Sequence, residues 1–294
     1  MDGGAAPDRN DEVLLYETLV GTFPDPAPKS DTDTWRVYTG RITAYMEKAL
    51  REAKVHTSWT NVDAQYEQAM ARFTEAVLAS PEFMEVFAPF VRRIAAAGRT
   101  SSLSQVALKL ASPGSCDVYQ GCEVWDLSLV DPDNRRTVDF ALRARLLDEI
   151  RRRVAEGPTE RAALASEVSR PEALPDGRAK LLLLREGLRL RREQPELFLR
   201  GEYLPLAAGG PRGDRVVAFA RKHARAALVC AVPRLTLGLL DAAGGGKLAW
   251  EGHLPLPPEL RREYQNIVTG ARHRGDRLLL DEIFAGFPVA LLVG

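Results

Sequence analysis

Pro113-Gly-Ser-Cys-Asp-Val-Tyr-Gln-Gly-Cys-Glu-Val-Trp125 is followed closely by Leu129-Val-Asp-Pro-Asp-Asn-Arg-Arg-Thr-Val-Asp139. The first stretch reads as a buried strand over residues 115–120, and the second as a loop crowded with Asp, Asn and Arg that leads into a helix. Strand, polar loop and helix follow one another in this order on the active-site face of a (β/α) barrel, where the loops after the strands carry the chemistry. No second convincing strand appears before residue 201. A lone strand forms no sheet, so a closed eight-stranded barrel is not expected within this chain.

Upstream, residues 1–10 read as a flexible lead-in and residues 11–112 as a helical region. Apolar spacing predicts a short helix over 11–20, a longer one over 35–55 carrying Val37, Ile42, Tyr45, Met46 and Leu50, and a third from residue 61 carrying Tyr66, Met70, Phe73 and Val77. Two further helices are predicted over 81–97 and 101–110. Downstream, residues 113–200 hold the strand, its loop, a helix over 139–156 with a basic face, a polar region around Pro158, Pro171 and Pro175, and a helix over 176–193 stopped by Gln194-Pro195. From residue 201 to 294 short apolar runs over 216–220, 226–232, 235–240, 247–251, 277–280 and 289–293 alternate with Gly, Pro and Asp clusters. They predict a small antiparallel β-domain. The fold class expected is therefore α/β then β.

Forty basic and forty acidic side chains cancel, so no global field draws the chain to nucleic acid or an anionic membrane. Neutral partners such as sugars suit that balance. Cys116, Cys122 and Cys230 have neither zinc-type spacing nor a nearby His, and a disulfide-built secreted domain is not expected. The amino terminus lacks the basic start and apolar run of a signal peptide, and no apolar stretch approaches a membrane span. Cytoplasmic residence is the default. No metal-ligand cluster and no phosphate-binding glycine motif is read, and no cofactor is expected.

Four blocks, in order, resemble the maltooligosyltrehalose synthase family of the α-amylase superfamily of glycoside hydrolases. They are Asp11-Glu-Val-Leu-Leu-Tyr-Glu-Thr-Leu-Val-Gly21; Ala44-Tyr-Met-Glu-Lys-Ala-Leu-Arg-Glu-Ala-Lys-Val-His-Thr-Ser-Trp59; Ser102-Leu-Ser-Gln105 with Asp133-Asn-Arg-Arg136; and Leu188-Arg-Leu-Arg-Arg-Glu-Gln-Pro-Glu-Leu-Phe-Leu-Arg-Gly-Glu-Tyr203. The resemblance implies an incomplete (β/α)8-barrel segment, made of the last strand and helix plus inserted helices, followed by the antiparallel β-domain. It implies intramolecular transglycosylation, in which the terminal α-1,4 bond of a maltooligosaccharide becomes an α,α-1,1 bond. Such retaining chemistry needs a carboxylate nucleophile and a carboxylic acid roughly 5 Å apart. In the family the three catalytic carboxylates lie on the fourth, fifth and seventh barrel strands, upstream of the blocks matched here. The chain is thus expected to be the carboxy-terminal part of such an enzyme, to carry no catalytic residue of its own, and to need an amino-terminal barrel portion, encoded separately, for activity. A non-catalytic glucan-binding or complementing module is the alternative. An amylase-like hydrolase or glucanotransferase is a weaker one, disfavoured by Lys54-Val-His-Thr-Ser-Trp59.

The resemblance also implies substrate-binding residues. Asp133, Asn134, Arg135 and Arg136 sit with Asp131 in the loop that would face sugar, and a planar guanidinium and an amide can bond vicinal hydroxyls in fixed directions. The plainer reading is a turn whose arginines pair with Asp126 or Asp139. Tyr119 and Trp125 could stack on sugar rings or pack in the core. Lys54, His56 and Trp59 could bind near the reducing-end sugars, or cap a helix C-terminus. Glu123 reads as a brace for the loop rather than an acid.

Overall fold

The computed structural model describes residues 6–24, 32–170, 176–243 and 249–294. The chain forms two compact units, one built from residues 1–95 and 126–137, the other from 96–125 and 138–294.

The first unit is helical. Helix α1 (Arg9–Thr22) starts where the Asp8 carboxylate accepts the Asp11 N–H at 2.9 Å. Helix α2 (Asp33–Ala53) is capped by Thr32, and α3 (Ala64–Ala79) by Asp63, which takes the N–H groups of Gln65 and Tyr66. Each cap satisfies donors that a helix start leaves without partners. Trp35, Tyr38, Ile42, Met46 and Leu50 recur at helical spacing on α2 and are all buried, with Leu15, Leu19, Met70 and Phe87 in the same core. Burying one such side chain stabilises by roughly 1.5–3 kcal/mol. The stripe therefore outweighs the cost of Gly40 within α2, about 1 kcal/mol relative to Ala.

Helix α4 (Pro81–Ala111) runs unbroken for 31 residues. Two helices were expected here, over 81–97 and 101–110. Instead the Thr100 hydroxyl turns back to the Ala96 carbonyl at 3.1 Å and the helix continues through Gly98.

In the second unit, α5 (Phe140–Ala155), α6 (Pro158–Val168), α7 (Arg178–Glu193) and α8 (Pro195–Leu199) precede the sheet. Helix α6 lies where only a polar region was expected; Pro158 is its first residue rather than a loop residue, the position a missing N–H suits best. Strands β1 (Glu202–Leu206), β2 (Val216–His223) and β3 (Ala226–Pro233) lead on to helix α9 (Leu237–Ala242), β4 (His253–Pro255), β5 (Glu263–Asn266), β6 (Arg272–Arg274), β7 (Arg277–Leu279), helix α10 (Leu280–Ile283) and β8 (Ala290–Val293). Six of these strands form an antiparallel sheet in the order β1-β2-β3-β8-β5-β6, while β4 pairs with β7.

Both faces of the sheet are covered. Phe219, Leu228, Cys230 and Val232 face a core shared with Leu103, Leu110, Ile150, Leu164 and Leu182, and Ala218, Ala220, Ala227, Val229 and Ala231 face Trp250, Leu254, Leu260 and Tyr264. The side-chain period of two thus serves two cores, which is why β3 reads as a continuous apolar run rather than an alternation. At Gly201 a Cβ would stand 2.1 Å from the Leu197 carbonyl oxygen, so only glycine fits where the chain leaves α8 for β1.

Three expectations fail. Residues 115–119 form no strand: no ladder partner exists for them among the described residues, and Cys116 and Val118 pack instead against the core of α4 and α7. The expected strand at 235–240 is α9, which follows a left-handed Leu235. Of the expected strand at 247–251, residues 247 and 248 lie outside the described residues, and the pairing begins later, at His253. No helix among the described residues is long and apolar enough to cross a membrane.

Candidate functional site

The loop that follows Trp125 is held by one arginine far away in sequence. Arg41, on α2, donates from Nε to Asp133 Oδ1 and from NH2 to Asp133 Oδ2, both at 2.8 Å, and from NH2 again to the Leu127 carbonyl at 2.8 Å. The Leu129 N–H adds a third bond to the Asp133 carboxylate, at 2.7 Å. Burial acts against the charged form of Asp133, but the bonds from Arg41 and the Leu129 N–H outweigh it and hold the carboxyl below its ordinary range. Lys48, two turns along α2, donates to the Asp131 carbonyl.

This bonding leaves a cleft of about 370 Å³ between α2 and the loop, lined by Gly40, Arg41, Tyr45 and Lys48 on one side and Val130 and Asp131 on the other. Arg135 pairs with the Asp131 carboxylate and Arg136 donates to the Asp133 carbonyl at 3.0 Å and the Ser128 hydroxyl at 2.8 Å. The partners foreseen in the plainer reading, Asp126 and Asp139, do other work: Asp126 accepts from Ser128, and Asp139 caps α5. Side-chain exposure separates the two kinds of residue, at 11% for Asp133 against 72% for Arg135 and 50% for Arg136. Asp133 is thus fixed as an anchor, whereas both guanidinium groups reach solvent. Asn134 is half-buried, and its Oδ1 has no hydrogen-bond partner.

The segment from Lys54 to Trp59 hangs from the end of the same helix. Lys54 ends α2 in the left-handed conformation, φ 58°, with its N–H on the Leu50 carbonyl. His56 bonds Asp8 at 2.7 Å through Nε2 and stacks on Tyr66, whose hydroxyl donates to Asp11 at 2.5 Å. The Asp11 N–H and His56 together lower the Asp8 carboxyl, and burial with the Asp11 bond pushes the Tyr66 phenol up. One ligand atom each of Asp8, Asp11 and His56 lies within 4.8 Å of the others. Their hydrogen bonds to one another and to Tyr66 account for that closeness without an ion. Trp59 is exposed and stands over Arg51.

In the second unit, Glu123 bonds Arg143 at 3.0 Å while Arg143 NH2 donates to the Gly121 carbonyl at 2.6 Å, so the carboxylate braces its own loop. Trp125 packs partly on the core with Lys180 Nζ 5.8 Å from its ring, and Tyr119 is exposed. Arg41, Tyr45 and Lys48 are the site residues that sequence reasoning missed. Arg41 and Asp133 are 92 positions apart, and no local pattern signals the pair.

No family model matches the sequence. A curated protein of Mycobacterium tuberculosis, provisionally named a maltooligosyl trehalose synthase, is 35% identical over 289 residues, which are 98% of this chain and 32% of that protein. The solved maltooligosyltrehalose synthase of Arthrobacter ramosus matches 96% of this chain and 32% of its own at 34% identity and a TM-score of 0.74. Another solved maltooligosyl trehalose synthase matches 97% of this chain and 33% of its own, at 28% identity and a TM-score of 0.69. The chain spans about a third of the length of these relatives. Over nearly all its residues the chain is similar in sequence and in fold to maltooligosyltrehalose synthases about three times its length.

Proposed function

We propose that the chain serves as the carboxy-terminal part of a maltooligosyltrehalose synthase, which turns the terminal α-1,4 bond of a maltooligosaccharide into an α,α-1,1 bond. The catalytic carboxylates come from the part of the family's chains that this sequence does not span. Residues 115–119 become the last barrel strand once neighbouring strands lie beside them, and the anchored loop presents Arg135 and Arg136 to the sugar hydroxyls. Tyr119, Trp125, Asn134, Lys54, His56 and Trp59 are further candidates for sugar contact.

The observation that carries this reading is the match over nearly the whole chain to proteins about three times as long. Asp133, whose carboxylate is taken up by Arg41 and the Leu129 N–H, is suited to hold the loop and not to attack a sugar carbon.

The test is reconstitution. Alone, the chain should leave maltopentaose unchanged. Mixed or fused with the amino-terminal part of a maltooligosyltrehalose synthase, it should yield a product without a reducing end. Turnover by the purified chain alone, or failure of a folded fusion to form that product, would sink the proposal.

A further inference from the structure

The segment between α2 and α3 displays an indole that the protein has finished on one side only. Trp59 is 56% exposed, with the Arg51 guanidinium 4.9 Å from its ring centroid. Arg51 does not move freely: Nε and NH2 each donate to Glu67 at 2.8 Å, and Glu47 pairs with NH2. The loop itself is rigidly built. Thr57, 3% exposed, donates to Glu67 and accepts the Asp63 N–H, while the Ser58 N–H bonds the Asn61 carbonyl and the Asn61 N–H bonds the Ser58 hydroxyl. One ring face is therefore backed by a fixed cation and the other is open, with the polar groups of Lys54, Thr60 and Asn61 exposed on the same loop.

We propose that the open face of Trp59 is a stacking platform for one pyranose ring of an α-1,4-glucan. The apolar face of a pyranose lies flat on an indole, and hydroxyls at the ring edge need donors and acceptors close by. A platform fixed before binding loses little freedom when the sugar arrives. The guanidinium behind the ring keeps the indole from folding back onto α2. The site takes a neutral sugar, in keeping with a chain whose charges cancel. This rests on the reading of the chain as part of an enzyme that acts on maltooligosaccharides, and it gives the Trp59 loop the role of holding one sugar ring.

The test is titration of the full chain with maltoheptaose, followed through the indole N–H resonances of its four tryptophans. The Trp59 signal is assigned by its loss in Trp59→Phe. It should move saturably as sugar is added, and Trp59→Ala should weaken calorimetric binding about tenfold or more at an unchanged melting temperature. Trp59→Phe, which keeps a flat ring, should retain most of the affinity. The platform is overturned if maltoheptaose does not bind, if it binds without moving the Trp59 signal, or if that signal moves only when the amino-terminal part of the enzyme is added, which would make the loop a protein contact. Reconstitution reads the parent proposal separately. A working fusion with an unmoved Trp59 signal refutes the platform alone, and sugar binding at Trp59 with a folded but inactive fusion refutes the enzyme reading alone.

Discussion

Arg41 and Arg221 show two uses of the same side chain. Arg41 meets a carboxylate at the edge of a cleft and keeps 17% of its side chain in solvent. Arg221, on β2, is 1% exposed, and its hydrogen-bond partners among the described residues are all backbone carbonyls: those of Ala111 at the end of α4, Phe198 near the end of α8, and Gly201. These oxygens belong to chain ends that helices leave unsatisfied, where the helix dipole is negative. Burial lowers the Arg221 pKa, yet the carbonyls suffice to hold the group. The first arginine sets the shape of a surface loop, and the second ties helices to the sheet. A charge paired at the rim can be lost with local consequences, whereas one in the core serves several elements at once.

Arg221→Leu should therefore have the largest effect. It leaves several buried carbonyls without donors, and unfolding in urea should show a loss of about 3–5 kcal/mol, or a fall in melting temperature of about 2–4 °C for each kcal/mol. A loss under 1 kcal/mol would mean that the helix ends do not depend on it. Glu186→Leu should come next. This carboxylate is fully buried among Arg161, Arg185 and Arg189, and Arg161 also bonds the Ile267 and Val268 carbonyls. Removing it strands cationic groups at a cost of about 3 kcal/mol.

Asp133→Asn should cost less, about 1–2 kcal/mol by the loss of charge-assisted bonds, and its signature is the pH dependence. Because folding lowers the Asp133 pKa, its contribution is complete above the unfolded value near 3.8 and disappears as pH falls through the lower folded value. The stability gap between wild type and Asp133→Asn should hold steady at neutral pH and close below about pH 4. A gap independent of pH would show that the carboxylate's charge does not matter. The smallest stability effects belong to the loop arginines. Arg135→Ala and Arg136→Ala should change stability by about 0.5 kcal/mol or less. In the reconstituted enzyme they should lower turnover about tenfold or more. Arg152→Ala, which removes an exposed pair with Glu156, should be silent in both measurements. Equal losses of turnover from all three would make the loop a structural part only.

Helices with a clear apolar stripe were legible in the sequence: α2 declares itself through Ile42, Met46 and Leu50, four residues apart. The β2–β3 hairpin did so through two apolar runs flanking His223-Ala-Arg225. What failed depended on neighbours. Residues 115–119 have the composition of a strand, but a strand exists only through its partners. The run around Leu237 folds as a helix because no ladder reaches it. Helix α6 was hidden because Pro158 breaks a helix in its interior and favours one at its first turn, and position alone decides which. The loop at residues 131–136 was recognisable by its motif, yet its shape is imposed by Arg41, which nothing local betrays.

The sheet order has a further consequence for handling the protein. Its outermost strands are β1 and β6. Strand β1 carries Glu202 and Pro205, and a proline offers no amide hydrogen to a newcomer; β6 is three residues long and reads Arg272-His-Arg274. Short, charged or proline-bearing borders discourage strand-by-strand growth between molecules. At the concentrations needed for spectroscopy, the chain should resist fibrillar association through its sheet, and any self-association will run through side-chain surfaces that point mutations can remove.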